Sequence, residues 1–332
     1  MVVLAVAGIA GAEGPGVADT LDRFVARLFD TLTREELFAL DDAAIQKHLL
    51  PEERTVLATR HQYFEVDAPA VVSVIRDSAQ AVVPFWLAEA GFEKTDLTVT
   101  NTENWVYEVW QKRVDAGLVA LGINGFDRHR PHYFVAVGPQ DPARPVRIGA
   151  RHPADFGIGW MHEGAYVYHD WDSLLLKSVP RELRGHQLLR TIRGRARDAH
   201  LIKGFRETPY PSGPAPDQVM LTWSADPRST QTVQWRTGTM VAAGEARFRP
   251  VDAAVDQWQR VPAETARIED RQLLNDPVCH RHTAVLRDLA PDTEYVYQVG
   301  DGSDGGWSVA ETFRTAPDTD RPCWFLTVGG TD

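Results

Sequence analysis

Between positions 282 and 301 the chain reads His282-Thr-Ala-Val-Leu-Arg-Asp-Leu289-Ala-Pro291-Asp-Thr293-Glu-Tyr295-Val-Tyr297-Gln-Val299-Gly-Asp301. The spacing Leu-x-Pro-x-Thr-x-Tyr, followed by alternating Tyr and Val, predicts a corner where one strand of a β-sandwich turns into the next. At such a corner the tyrosine ring packs inward and its hydroxyl reaches back to the backbone. Leu289, Pro291 and Tyr295 are thus expected to be structural, along with Trp223, Trp235 and Trp307. A sandwich performs no chemistry by itself, so function must come from what surrounds it.

A length of 332 residues suggests two or three domains. The composition, 43% hydrophobic and 24% charged, supports ordinary buried cores. A net charge of −11 argues against a nucleic-acid partner, which requires a basic surface to neutralise phosphates. No apolar run approaches the ~20 residues of a membrane span. Positions 1–12 form a short apolar run ending in Ala10-Gly11-Ala12, as in a signal peptide over residues 1–14, which predicts a secreted or periplasmic protein. The positive charges that normally precede such a run are missing, and a buried strand, or a start codon assigned too far downstream, is the other reading. The two cysteines, Cys279 and Cys323, flank the last strands of the sandwich. They are either a disulfide pinning the segment after Pro317, or two separate small buried hydrophobes.

Residues 15–60 read as helical. Leu21, Phe24, Val25, Leu28, Phe29 and Leu32 recur at helical spacing, and Thr33 with Glu36 forms a capping-box pattern. From Gln62 the period changes to two. Short strands are expected at 71–75, 83–87, 97–99, 105–110, 118–121 and 133–137, then at 146–150, 165–169, 173–177 and 188–192. With no amphipathic helices between them, they favour a second antiparallel sandwich over residues 61–204. Prolines at 209, 211, 214 and 216 predict a stiff interdomain linker over 205–216. Residues 217–317 suit a seven-stranded sandwich. The expected fold class is therefore mainly β, with a short N-terminal helical segment.

Taken together, residues 213–332 resemble the fibronectin-type-III-like N-terminal domain of purple acid phosphatases and related metallophosphoesterases. The resemblance rests on Pro216-Asp-Gln-Val219, Leu221-Thr-Trp223, Val233-Gln-Trp235-Arg-Thr237 and His280-Arg-His282 leading into the tyrosine corner. Trp307-Ser308, Phe313-Arg-Thr-Ala-Pro317 and the hydrophobic stretch Trp324-Phe-Leu-Thr-Val-Gly329 complete it, in that order. In that family the last stretch opens the catalytic domain and ends in Gly-Asp, whose aspartate binds the first metal. Here the sequence reads Val328-Gly329-Gly330-Thr331-Asp332, with a glycine where the aspartate would stand, so either Asp332 is the displaced metal ligand or the first ligand lies elsewhere.

The resemblance implies a parent hydrolase that cleaves phosphate esters at a dinuclear centre of the Fe, Zn or Mn type. The present residues would scaffold a catalytic domain C-terminal in the same chain. Residues 318–332 would be the start of that domain, and the 332 residues alone would be inactive, because a two-metal site needs ligands from several strand ends. A close variant is an alkaline phosphatase D-type phosphodiesterase. The reading from another class is an extracellular surface protein that binds carbohydrate or protein through stacked sandwiches.

Three further clusters invite chemistry. His280 and His282 point to one face of a strand and offer two metal-binding nitrogens, though a site needs more ligands. The stretch 160–172 gathers Trp160, Tyr166, Tyr168, Trp171, Glu163, Asp170 and Asp172, which reads as a sugar-stacking platform or as a strand with its loop. Six arginines, at 181, 184, 190, 193, 195 and 197, form an anion site or a solvated face. Nucleotide-binding and serine-hydrolase motifs are absent.

Overall fold

The computed structural model describes residues 15–129, 131–194 and 199–319, and the chain divides into two compact units, 1–206 and 207–332. The helical segment expected over 15–60 lies in the same unit as the sheets that follow it. Cys323, Asp332 and residues 1–14, where a signal peptide is expected, lie outside the described residues, as do Arg195 and Arg197.

Unit 1 begins with four helices: α1 (Val17–Thr31), α2 (Arg34–Phe38), α3 (Asp42–His48) and α4 (Pro51–Thr59). The apolar stripe of α1 is buried through Leu21, Phe24 and Leu28. At the start of α2 the capping box is complete. The Glu36 N–H donates to the Thr33 hydroxyl, and the Thr33 N–H donates to the Glu36 carboxylate. Arg27 of α1 makes a bidentate pair with Glu53 of α4, tying the first helix to the last.

The strands of unit 1 are β1 (Gln62–Val66), β2 (Ala70–Asp77), β3 (Glu93–Asn101), β4 (Val106–Val114), β5 (Gly117–Leu121), β6 (Phe134–Pro139), β7 (Ile148–His152), β8 (Ile158–Trp160), β9 (Leu176–Ser178) and β10 (Gln187–Leu189). They form a three-stranded sheet, β5-β1-β7, and a seven-stranded sheet, β8-β10-β6-β2-β4-β3-β9, with antiparallel pairing throughout. The large sheet is covered on both faces. Val72, Val74, Val135 and Val137 pack with Phe64 and Trp86 on one side. Ile75, Phe134, Ala136 and Val109 pack with Tyr107 and Tyr168 on the other. This explains why β2 and β6 read as mostly apolar runs rather than alternating ones, with Ser73 the one polar residue between Ala70 and Ile75.

Two expectations are corrected in this unit. The apolar stretch at 83–87 is not a strand, because Pro84 opens a short helix, α5 (Phe85–Glu89), that buries Trp86 and Leu87. Residues 165–169 and 173–175 are not ladder strands either. They make only isolated bridges, Tyr166 to Leu175 and Tyr168 to Thr191, while Val167, Tyr168 and Leu174 cover the second face of the large sheet.

Unit 2 contains β11 (Asp217–Thr222), β12 (Gln231–Gly238), β13 (Glu245–Pro250), β14 (Gln259–Pro262), β15 (Glu264–Glu269), β16 (Val278–Leu286), β17 (Glu294–Gly300) and β18 (Glu311–Arg314). They form two four-stranded sheets, β11-β12-β16-β15 and β14-β13-β17-β18. Pairing the first strand with the second, the second with the sixth, and the third with the seventh is the immunoglobulin-type sandwich arrangement, here with one strand beyond seven. Its core is Val233, Trp235, Phe248, Leu286, Leu289, Tyr295, Tyr297, Val299 and Phe313.

The proline-rich segment is more than a spacer. From Thr208 onward it is stitched to unit 2: the Thr208 N–H donates to Asn275, and both the Ser212 N–H and its hydroxyl donate to Asp276. Buried Arg236 closes the network. It is bidentate to Asp217, donates to Asp276, and gives a further N–H to the Tyr210 carbonyl.

Candidate functional site

In the large sheet of unit 1, the antiparallel pairing sends several loops to one end. β2 finishes there at Asp77, paired with Tyr107 near the start of β4, and Ile75 pairs with Phe134 at the start of β6. The β3–β4 hairpin, the segment entering β9 and the segment leaving β10 reach the same end. A rim built this way gathers residues distant in sequence.

The turn after β2 is held from two sides. Arg76 is buried, ion-paired with Glu108, and donates to the carbonyls of Gln80 and Val82. Asp77 accepts the Ala79 N–H at 3.0 Å through Oδ1 and faces His129 Nε2 at 3.0 Å through Oδ2. Burial pushes the Asp77 carboxyl up, but the His129 hydrogen bond, the Ala79 N–H and the Arg76 charge together hold it below the usual aspartate value. Asp77 is therefore ionised at neutral pH.

The same turn carries Gln80, whose Nε2 donates to the Asn124 carbonyl at 2.7 Å. Asn124 is 3% exposed, and neither Nδ2 nor Oδ1 of its side chain has a hydrogen-bond partner. Gln80 Oε1 is also buried and unpartnered. Each such atom costs about 1–3 kcal/mol unless something else satisfies it.

Below the Asp77–His129 pair, Tyr107 and Tyr168 are fully buried. Burial pushes the Tyr107 hydroxyl up to about 12 although it accepts from the Asn101 amide, and burial holds Tyr168 well above the ordinary tyrosine value. Tyr168 donates to the His132 carbonyl at 2.9 Å. On the β3–β4 side, half-buried Trp105 and Trp171 meet edge to face at 5.8 Å. The Arg193 guanidinium lies 4.5 Å above the Trp171 ring, and the Arg193 N–H donates to Asp170.

The stretch 160–172 does not form one platform, because the structure divides it between surfaces. Trp160 is exposed on β8, while Met161, Val167 and Tyr168 are core. Tyr166 stacks under Arg190, 3.9 Å from its guanidinium, and donor Arg190 Nη1 reaches the tyrosine oxygen. On its other side Arg190 lies against Gly159, where a Cβ would stand 2.7 Å from Nη2. Glu163 pairs with Arg184 at the surface. Arg184, Arg190 and Arg193 of the six-residue set are thus spread over separate contacts. Of Asp77, Gln80, Asn124 and His129, Asn124 falls on a turn signal, Asn124-Gly125, and Asp77 on a charged pair, Arg76-Asp77, that directly continues an apolar strand; Gln80 and His129 carry none.

In unit 2, Tyr295 is buried and its hydroxyl accepts the Ala290 N–H at 2.8 Å. Leu289 is buried beside it, while Pro291 is exposed and its carbonyl accepts the Thr293 hydroxyl. Trp235 is fully buried. Trp307 is half-buried between Arg247 and Arg260, at 4.3 and 5.3 Å. Trp223 does not have the structural place expected of it, being 74% exposed. A register shift between Asp217 and Met220, with Gln218 at φ 46°, breaks the alternation of β11, and Trp223 lies one residue past the strand end.

The paired histidines do not make a metal site. His282 is fully buried, with Nε2 on the Thr237 hydroxyl at 2.8 Å and Nδ1 on the Thr265 hydroxyl at 2.9 Å. His280 Nδ1 donates to the Val241 carbonyl. Cys279 is a partly buried free thiol whose pKa is raised by burial. Among the described residues no group of three or more His, Cys, Asp or Glu side chains is placed to hold a metal ion.

The strand order of unit 2 and its tyrosine corner define a fibronectin-type-III-like sandwich. Residues 216–315, less than a third of the chain, match the family described as purple acid phosphatase, N-terminal domain. No curated protein matches the chain. Among solved structures, the chain is similar to a purple acid phosphatase, PPD1, from yellow lupin (Lupinus luteus) seeds, at 14% identity and a TM-score of 0.27. That likeness covers 79% of this chain and 36% of the lupin chain. A fibronectin-type domain of human contactin 1 is similar at 18% identity and a TM-score of 0.24, covering 36% of this chain and 92% of that one. The FN5 domain of Drosophila Lar is similar at 16% identity and a TM-score of 0.21, covering 32% and 97%.

Proposed function

We propose that these residues are the non-catalytic N-terminal part of a metal-dependent phosphoesterase of the acid-phosphatase type. In this reading unit 2 scaffolds a catalytic domain that follows in the same chain, the substrate is a phosphate ester, and the protein is secreted or periplasmic. The observation that carries the reading is the family match over residues 216–315.

The geometry at the exit of unit 2 supports a scaffolding role. The Thr315 hydroxyl donates to the Ala290 carbonyl, the Thr315 N–H to Thr293, and the Ala316 N–H to Pro227. The segment after β18 therefore leaves the sandwich from a fixed point beside the tyrosine corner. No helix among the described residues is long and apolar enough to cross a membrane.

The described residues do not fit a dinuclear metal centre, since they hold no cluster of three ligating side chains and both nitrogens of His282 are occupied. In the proposed reading the Fe, Zn or Mn ions would be held by the catalytic domain, with Asp332 the candidate ligand in the present sequence. Two measurements test the reading. The purified 332-residue chain should release no p-nitrophenol from p-nitrophenyl phosphate when supplied with Fe, Zn or Mn. The transcript should continue into Gly-Asp-x-x-Tyr and Gly-Asn-His strands. Robust turnover by the purified chain, or continuation into further sandwich domains, would overturn it.

A further inference from the structure

We propose that β11 of unit 2 is a self-association edge, where two copies of this chain pair as antiparallel strands across a two-fold axis at Leu221. The starting point is how the sandwich treats its four sheet edges. An edge strand presents unpaired backbone groups that template a further strand, and proteins block such edges with charges or proline. Here β15 carries Glu264, Arg267 and Glu269, β14 carries Arg260 and ends in Pro262, and β18 carries Glu311 and Arg314. The fourth edge, β11, has no such guard. Its one charge, Asp217, is engaged by Arg236, and from Gln218 through Ala225 the chain is uncharged. Met220, Leu221 and Trp223 are exposed along it, at 46%, 37% and 74%.

A strand is what such an edge accepts, and the register points to a second copy. The Gly238 N–H of β12 donates to the Gly213 carbonyl, just before β11, so the even-numbered residues of β12 turn their backbone groups toward β11. Leu221 lies opposite odd-numbered Val233 and therefore turns its own N–H and C=O outward. A second β11 running antiparallel can exchange both bonds at Leu221, which sets Leu221 against its own copy. The same register sets Val219 against Trp223 and Met220 against Thr222 of the other chain. An aromatic ring facing a β-branched side chain is a favourable cross-strand pair, and no charge is buried in forming it. The β11 bulge ends at Met220, so it leaves the stretch around the axis regular. Two-fold pairing uses one patch twice and closes at a dimer. The inference concerns unit 2 alone and does not depend on the phosphoesterase reading.

The test applies sedimentation velocity and hydrogen-exchange mass spectrometry to the whole chain over a range of concentrations. Three apolar side chains per copy make a small interface, so a dimer with Kd on the order of 10–100 µM is expected. The amides of 219–224 should gain protection as concentration rises, while those of β15 should not. Leu221→Lys and Leu221→Glu should each weaken the dimer by about tenfold or more, since like charges then face each other at the axis. Mixing the two variants should restore it, a result that misfolding cannot give. Should either variant fail to fold, the concentration dependence of the wild-type amides decides. A chain still monomeric at about 300 µM, or folded variants that do not associate when mixed, would overturn the proposal. Protection of 219–224 that is present at every concentration would overturn it too, because a segment of the same chain would then occupy the edge.

Discussion

His282 lies flat against Trp235, with ring centroids 5.2 Å apart and a threonine hydroxyl on each of its nitrogens. Two histidines spaced one residue apart on a strand are a familiar sign of metal ligation, yet this ring is part of a sandwich core. Facing residues determine the outcome. His282 pairs with Trp235 on β12 and with Thr265 on β15, so its side chain is enclosed on both sides. Backbone also approaches closely here: a Cβ on Gly244 would stand 2.7 Å from both rings.

The buried imidazole makes unit 2 sensitive to acid. Burial, reinforced by the neighbouring His280, lowers the pKa of His282 from its ordinary 6.5. Between that depressed value and 6.5 the unfolded chain binds a proton that the folded chain does not. Stability therefore rises with pH through this window and is fully present above it. The denaturation midpoint of unit 2 should fall as pH drops below about 6.5. In Thr237→Val and Thr265→Val variants the ring loses its partners, and unit 2 should be less stable at neutral pH.

The network at Arg236 predicts a large effect from a small change. Asp276→Ala removes one buried partner of Arg236 and both acceptors of Ser212, while Asp217 remains paired. Breaking a buried ion pair from one side costs about 3 kcal/mol. Chemical denaturation of unit 2 should report that loss, and limited proteolysis should cut the 208–214 segment faster than in the wild-type chain.

Two tryptophans of similar appearance in the sequence should behave oppositely. Trp223 is 74% exposed and Trp235 fully buried. Trp223→Ser should change stability by less than about 0.5 kcal/mol. Trp235→Ala should cost about 3–5 kcal/mol, by opening a cavity against Phe248 and Leu286 in the core. Equilibrium unfolding of the two variants separates the cases.

Unit 2 was largely legible because its determinants are local. A corner motif, alternating strand residues and the terminal Phe313-Arg-Thr sequence each act over fewer than ten positions, and their order matched one architecture. Unit 1 was legible in class but not in detail. The apolar runs of β2 and β6 conceal a sheet covered on both faces, and the run at 83–87 becomes a helix because Pro84 starts it. The rim was harder still. Asp77 meets His129, and Gln80 meets the Asn124 carbonyl, between loops fifty-two and forty-four positions apart, contacts that no local sequence pattern encodes.

The tyrosine corner links stability of the sandwich to the position of its exit. The Tyr295 hydroxyl accepts the Ala290 N–H, and its ring stacks on Phe313 of β18 at 5.5 Å. The carbonyl of the same Ala290 accepts the Thr315 hydroxyl, so one residue couples the corner to the departing chain. Tyr295→Phe keeps the ring packing and removes only the acceptor, leaving a part-buried N–H unmatched. The expected cost is about 1–2 kcal/mol, read as a lower denaturation midpoint for unit 2. The Thr315 amide should exchange faster as well, because Ala290 is no longer held from its nitrogen side. A loss of stability with unchanged exchange at Thr315 would mean that corner and exit are independent, and the fixed departure point proposed for the scaffold would then rest on Ala316 and Pro227 alone.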